Sequence, residues 1–135
     1  MISQEALDNY SKAVLKDHPH IDKALIIKDL YLSMILKRMG QHIEKNKESI
    51  FRHLVFKGGT LLVKGYLGYY RFSEDLDFIY SNNPGFEELT RNSRERAIRG
   101  YLVIFMPEIE HICNELNLDF KNARNNKKYC RNTNR

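Results

Sequence analysis

Apolar positions at helical spacing predict a first helix soon after the chain begins. They are Ala6, Leu7, Tyr10, Ala13 and Val14. Ser3 is a typical N-cap residue for this helix. The helix should end near Asp17, because His18 precedes Pro19 and the residue before a proline avoids helical backbone.

A second and longer helix is predicted from about Asp22 to Asn46. Its apolar stripe consists of Leu25, Leu32, Leu36, Met39 and Ile43. Asp29 falls within this stripe, where an unpaired carboxylate is costly because it is removed from water. We therefore expect Asp29 either to pair with a base such as Arg71 or to border an active site.

Short apolar runs predict two strands on either side of a glycine turn. Residues 54–56 form a short buried strand that leads directly into Lys57-Gly58-Gly59-Thr60, and a short helix over 61–67 follows. Over 75–80 the chain first alternates acidic and apolar residues and then becomes apolar, which is typical of a strand that emerges from a core.

The last third of the chain is predicted to be mainly helical. A charged surface helix is expected over 86–99, and the apolar run 101–106 should continue as helix up to Pro107, which should start or kink the next segment. Residues 118–120 are expected to open one more strand. The pattern as a whole predicts an α+β domain over residues 1–120.

Composition narrows the class of protein. The chain has 135 residues, 42% hydrophobic and 29% charged, which is typical of one globular domain. Its longest nearly apolar stretch, 25–36, contains Lys28 and Asp29 and is too short to span a bilayer. The first ten residues contain two acids and no base, unlike a signal peptide, so we expect a cytoplasmic protein without a membrane segment.

Positive charge is concentrated at the end of the sequence. Residues 121–135 hold six basic residues and no acid, whereas the rest of the chain has 16 basic against 17 acidic residues. We expect this segment to be a flexible basic tail, although such a tail can also bind phosphates. The two cysteines, Cys113 and Cys130, show no CxxC spacing, so neither a disulfide scaffold nor a zinc finger is expected.

The glycine pair suggests anion binding. Gly58 and Gly59 lack side chains, so a phosphate can approach their amides, and the positive end of the following helix favours negative charge. Thr60 can add a hydroxyl donor or cap that helix. A Gly-Gly turn before a helix is, however, more often only a turn.

Asp75 and Asp77 stand two positions apart in a predicted strand, where alternate side chains project to the same face. Two carboxylates held that close repel each other unless a cation lies between them. Mg²⁺ prefers carboxylate and phosphate oxygens, so the pair is typical of a metal site that faces a nucleoside triphosphate. A single DxD is also common at solvated strand edges, but the combination with the glycine turn is more specific.

These motifs resemble a known family. The runs 56–60 (FKGGT) and 71–78 (RFSEDLDF), with 28–31 (KDLY) in the preceding helix, are similar to the AbiEii/AbiGii nucleotidyltransferase toxins, which include the MenT toxins. The resemblance implies a nucleotidyltransferase-like α+β fold with a small mixed sheet flanked by helices. It also implies Mg²⁺-dependent transfer of NMP from an NTP to RNA, with tRNA as the favoured acceptor, and an antitoxin protein as partner.

The resemblance also implies roles for particular residues. Those expected at the triphosphate are Gly58, Gly59, Thr60 and Ser73, and those expected at the metal are Asp75 and Asp77. Lys57 and Arg71 either stabilise phosphate charge or pair with an acid such as Asp29 or Glu74, and the sequence leaves both alternatives open.

The chain departs from the family pattern after the second motif. The family uses a further acid and a lysine on later strands, for which Asp119 and one of Lys121, Lys127 and Lys128 are weak candidates. We therefore expect the sequence to be the N-terminal portion of such an enzyme, with little catalysis by itself. The alternatives are a noncatalytic protein-interaction module, a degenerate remnant of the same fold, or an RNA-binding protein that relies on the basic tail.

Overall fold

The computed structural model describes residues 2–66, 72, 74–81 and 85–121, without the side chains of residues 63 and 65. The helices are α1 (Gln4–Asp17), α2 (Lys23–Lys45), α3 (Gly58–Leu61) and α4 (Arg91–Glu115), and the strands are β1 (Leu54–Lys57) and β2 (Asp77–Tyr80). Single 3₁₀ turns lie at Ile50–His53 and Phe86–Glu88, and a π-helical turn, Leu62–Tyr66, continues α3. Residues 122–135, with most of the predicted basic tail, lie outside the described part.

The first two helices confirm the predictions from apolar spacing and caps. The Ser3 hydroxyl accepts a hydrogen bond from the Ala6 amide at 3.1 Å, and the Asp22 carboxylate accepts one from the Ala24 amide at 2.7 Å. These side chains satisfy amides that have no partner within the first helical turn. Local sequence therefore fixes where α1 and α2 begin.

The two strands form an antiparallel pair that joins the two predicted motifs. Leu54 lies opposite Tyr80 and Lys57 lies opposite Asp77. The rings of Phe56 and Phe78 face each other with centroids 5.3 Å apart. β1 ends at Lys57 and β2 begins at Asp77. The glycine turn (58–59) and the acidic segment (residues 74–77) therefore lie at the same end of the sheet. This small sheet among helices agrees with the expected α+β fold.

Residues Met1–Glu88 form one compact unit, which contains both strands and the glycine turn. Its buried apolar residues are Leu7, Ile26, Met39, Ile50, Phe51 and Phe72. Three of them come from α1 and α2, and two from the 3₁₀ turn that leads into β1. This core therefore supports the beginning of the strand from which the glycine turn emerges.

Residues Leu89–Arg135 form a second compact unit, built on α4. The expected helix start near residue 86 is wrong, because the helix begins at Arg91, where the Thr90 hydroxyl accepts from the Ser93 amide. Of the two alternatives for Pro107, the start of a new helix is wrong, because α4 runs through it. A proline inside a helix removes one backbone hydrogen bond, and the buried stripe Met106, Ile109, Ile112 and Cys113 continues across that position.

The strand expected over 118–120 is not formed. Asn117 has a left-handed backbone with φ of 56°, and the Leu118 amide donates to the Cys113 carbonyl at 2.8 Å. The Asn117 amide donates to the Asn114 carbonyl at 3.0 Å. This is a Schellman cap, which returns the chain onto the end of α4. No helix among the described residues is both long and apolar enough to cross a bilayer.

Candidate active site

The glycine pair lies inside the first turn of α3. The helix expected from residue 61 begins three residues earlier, at Gly58, which has φ of +81°. This left-handed conformation favours glycine, and it turns the chain sharply from β1 into the helix. Lys57 is the N-cap residue and provides no side-chain hydrogen bond to the first amides of α3. Those amides are therefore left without a cap from the residue before them.

The carboxylate of Asp77 lies directly against the backbone of Gly58. A Cβ placed on Gly58 would overlap Oδ2 of Asp77 and would lie 3.1 Å from the Cβ and Cγ of that residue. Glycine is thus required here both by its backbone angle and by this close approach. The structure brings together one residue from each predicted motif, which the sequence places nineteen positions apart.

Thr60 makes a second connection between the motifs. Its buried hydroxyl donates a hydrogen bond of 2.6 Å to the backbone carbonyl of Asp75. A hydroxyl has one proton to donate, so this bond uses the donor that the sequence suggested for a phosphate. Thr60 therefore acts here by holding the acidic segment against α3.

Asp75 lies just before β2 and not within it. The expected strand start at Asp75 is wrong, because β2 begins at Asp77. Strand alternation therefore gives no ground for placing the two carboxylates on one face. The reason is that only residues from Asp77 onward have partners on β1, whose last paired residue is Lys57. The Asp75 residue is exposed, and Asp77 is half-buried.

The charged groups at this end of the sheet have no protein partners among the described residues. The side chains of Lys57, Asp75 and Asp77 form neither hydrogen bonds nor ion pairs within that part of the chain. Glu74, in contrast, pairs with Lys28 at 3.5 Å. Two acids and one lysine thus remain available for a ligand beside the glycine turn.

A comparison with protein families agrees with this arrangement. The family described as "Nucleotidyl transferase AbiEii toxin, Type IV TA system" matches residues 45–126, which is more than half of the chain. The chain belongs to the AbiEii family. Comparisons with curated proteins and with solved structures gave no match. The matched region contains the AbiEii-family glycine turn and both aspartates, and it confirms the resemblance inferred from the sequence.

Asp29 of this AbiEii-family chain forms a buried ion pair with Lys64. Lys64 Nζ lies 2.9 Å from both carboxylate oxygens of Asp29 and 2.7 Å from the Ser33 hydroxyl. The Asp29 residue is only 1% exposed. The sequence pattern suggested Arg71 as a base that pairs with Asp29 and did not indicate Lys64. The available signal was that Lys64 lies four residues after Thr60 in the segment predicted to be a short helix.

The remaining predicted site residues fall elsewhere. Arg71 and Ser73 lie outside the described residues, as do Lys127 and Lys128. Asp119, considered as a further carboxylate, is exposed and pairs locally with Lys121, at 2.7 Å between Nζ and Oδ1. Within the described ranges, no group of three or more His, Cys, Asp and Glu side chains is arranged to hold a metal ion.

Proposed function

We propose that this AbiEii-family chain is a toxin-type nucleotidyltransferase that transfers NMP from an NTP to RNA, with tRNA as the favoured acceptor. The observation that carries the proposal is the contact between the Gly58 backbone and the Asp77 carboxylate. It places a backbone able to receive phosphate beside an acid able to hold a cation. A nucleoside triphosphate with its divalent ion requires both groups at one place.

The residues of this site have distinct proposed roles. The backbone of Gly58 and Gly59 receives the triphosphate, and Lys57 stabilises its charge. Asp75 and Asp77 hold Mg²⁺, and their carboxylates fit this role because neither has a protein partner among the described residues. Bound Mg²⁺ neutralises charge on the phosphates. Arg71 and Ser73 are proposed as further phosphate contacts by family resemblance.

The proposed reaction is a displacement at phosphorus. An RNA hydroxyl attacks the α-phosphorus of the NTP, a new P–O bond forms, and the bond to the β-phosphate oxygen breaks with release of pyrophosphate. The hydroxyl proton leaves to solvent. Rate enhancement in such transfers comes mainly from alignment and charge stabilisation, and we assign the first to the glycine turn and the second to Lys57. We further propose that the protein acts in the cytoplasm and that a cognate antitoxin protein silences it.

Incubation with labelled NTPs, Mg²⁺ and total tRNA tests the proposal. We expect only weak labelling of RNA by the wild-type chain, because Asp119, considered as the family's further acid, pairs locally with Lys121. We expect no labelling by an Asp75→Asn/Asp77→Asn double variant. Asp17→Asn is the matched control, because Asp17 is an exposed acid at the end of α1. Calorimetry with each NTP and Mg²⁺ separates binding from turnover. Binding without labelling would favour the noncatalytic module, and equal heats from wild type and double variant would refute the proposed metal site.

A further inference from the structure

The ion pair between Asp29 and Lys64 is part of a buried polar cluster that includes Ser33. An ammonium group has three N–H donors, and three oxygens lie within 2.9 Å of Lys64 Nζ: both from Asp29 and one from Ser33. The Ser33 hydroxyl in turn donates to the Asp29 carbonyl at 2.8 Å. Every Lys64 donor therefore has an acceptor, as a buried cation requires.

This cluster attaches the π-helical turn that follows the glycine motif to helix α2. Lys64 lies in the π-helical turn Leu62–Tyr66, which continues α3 directly. Thr60 lies four residues earlier and holds the carbonyl of Asp75. The position of Asp75 thus depends on α3, and α3 is attached to α2 through Lys64.

Helix α2 also contacts the acidic segment directly. Lys28, the residue before Asp29, pairs with Glu74, the residue before Asp75. Both parts of the proposed site are therefore attached to adjacent residues of α2. The glycine turn is attached through Asp29, and the acidic segment is attached through Lys28. The first attachment is buried, whereas both side chains of the second are exposed. We expect the buried ion pair to contribute more than the exposed one to holding the site in place, because exposed ion pairs are screened by water.

We propose that Asp29, Ser33 and Lys64 are positioning residues that set the separation of the glycine turn from Asp75 and Asp77. This inference rests on the proposed nucleotidyltransferase function. Transfer at phosphorus demands alignment to within about 0.5 Å, and supporting hydrogen bonds together with packing hold a site to that precision. The cluster touches neither Asp75 nor Asp77, and it acts through Thr60 and the turn.

The test separates positioning from stability with a pair of variants. Lys64→Met removes the cation that contacts both Asp29 oxygens, and it should lower both Tm and nucleotide affinity. Asp29→Leu/Lys64→Met replaces the ion pair by an apolar pair, which often restores stability. Lys23→Met is the matched control, since Lys23 pairs with Asp8 between α1 and α2 in an exposed position.

We expect the double variant to recover the wild-type Tm and still to bind each of ATP, CTP, GTP and UTP with Mg²⁺ at least about tenfold more weakly, because the glycine turn is no longer held at its separation from the two aspartates. Lys23→Met should bind like wild type. If the double variant binds the nucleotides as tightly as wild type, the cluster serves stability alone and the proposal is overturned. If neither variant folds, Ser33→Ala removes one Lys64 acceptor with the ion pair kept, and it should weaken binding about threefold.

Hydrogen exchange provides a readout that needs no nucleotide. In the double variant, amides of Leu62–Tyr66 and Asp77–Tyr80 should exchange at least about tenfold faster, while those of Gln4–Asp17 remain unchanged. Unchanged rates in both segments would overturn the positioning role. Failure of the wild-type chain to bind any NTP would instead refute the proposed function, and the exchange result would still show whether the cluster holds the turn.

Discussion

Two regions of the unit Met1–Glu88 differ in what surrounds their aspartates: one holds a buried aspartate with a protein partner, and the other holds two aspartates that have none among the described residues. At the buried cluster, Asp29 is fully enclosed and bonded to Lys64 through both oxygens. At the end of the sheet, Asp75 and Asp77 have no side-chain partner among the described residues, and the Asp77 carboxylate lies against the bare backbone of Gly58. A carboxylate satisfied by the protein has little left to offer a ligand, whereas an unpartnered pair does. The contrast separates a structural acid from two candidate ligand-binding acids.

The largest effect on folding is expected at the buried cluster. Asp29→Asn removes the negative charge and leaves Lys64 buried beside a neutral amide, so the free energy of unfolding should fall by about 3–5 kcal/mol. Urea denaturation followed by circular dichroism measures this change. A loss below about 1 kcal/mol would show that water replaces the missing carboxylate, and the cluster would then resemble the exposed acids.

Gly58→Ala tests whether the Asp77 contact is as close as the structure shows. The new Cβ meets both a left-handed backbone and the Asp77 carboxylate, so we expect a destabilisation of about 2–3 kcal/mol together with loss of nucleotide binding. Gly40→Ala is the matched control. Gly40 lies inside α2 with open space around its Cα, and alanine there should stabilise the chain by about 0.5–1 kcal/mol. Similar effects at the two positions would contradict the steric argument.

Thr60→Val tests the bond that joins α3 to the acidic segment. Valine has a similar shape but cannot donate to the Asp75 carbonyl, so stability should fall by about 1 kcal/mol and nucleotide affinity should fall with it. Ser81→Ala removes a hydroxyl of the same kind that donates to the His53 carbonyl at an exposed place. Thermal unfolding should show a smaller loss there. An unchanged affinity in Thr60→Val would exclude a role for this bond at the site.

The smallest effect on stability is expected where the effect on binding is largest. Asp77→Asn removes a charge that has no protein partner in the described part of the chain, so the free energy of unfolding should change by less than about 0.5 kcal/mol. The same variant should lose Mg²⁺-dependent NTP binding in calorimetry. Asp29→Asn is the same substitution in the other region. A large loss of stability in Asp29→Asn and almost none in Asp77→Asn would establish the difference between the two regions, whereas equal losses would contradict it.

Features encoded by neighbours in sequence were predictable. The Ser3 cap, and the bounds of α1 and α2 to within about a residue, follow from signals within one helical turn. Predictions of element boundaries were wrong at positions where the local sequence and the burial of side chains favour different structures. A new helix could have started at Pro107, yet α4 continues through it, and the neighbouring Met106 and Ile109 are both buried.

The sequence by itself determined the family, through the glycine turn and the acidic segment that resemble the AbiEii pattern. Only the tertiary structure decided that Lys64, thirty-five positions from Asp29, is the partner of that acid. It also decided that Gly58 lies against Asp77 and that β2 begins too late to include Asp75. The physical reason is that caps and turns depend on adjacent residues, whereas ion pairs and close backbone approaches depend on how distant segments pack.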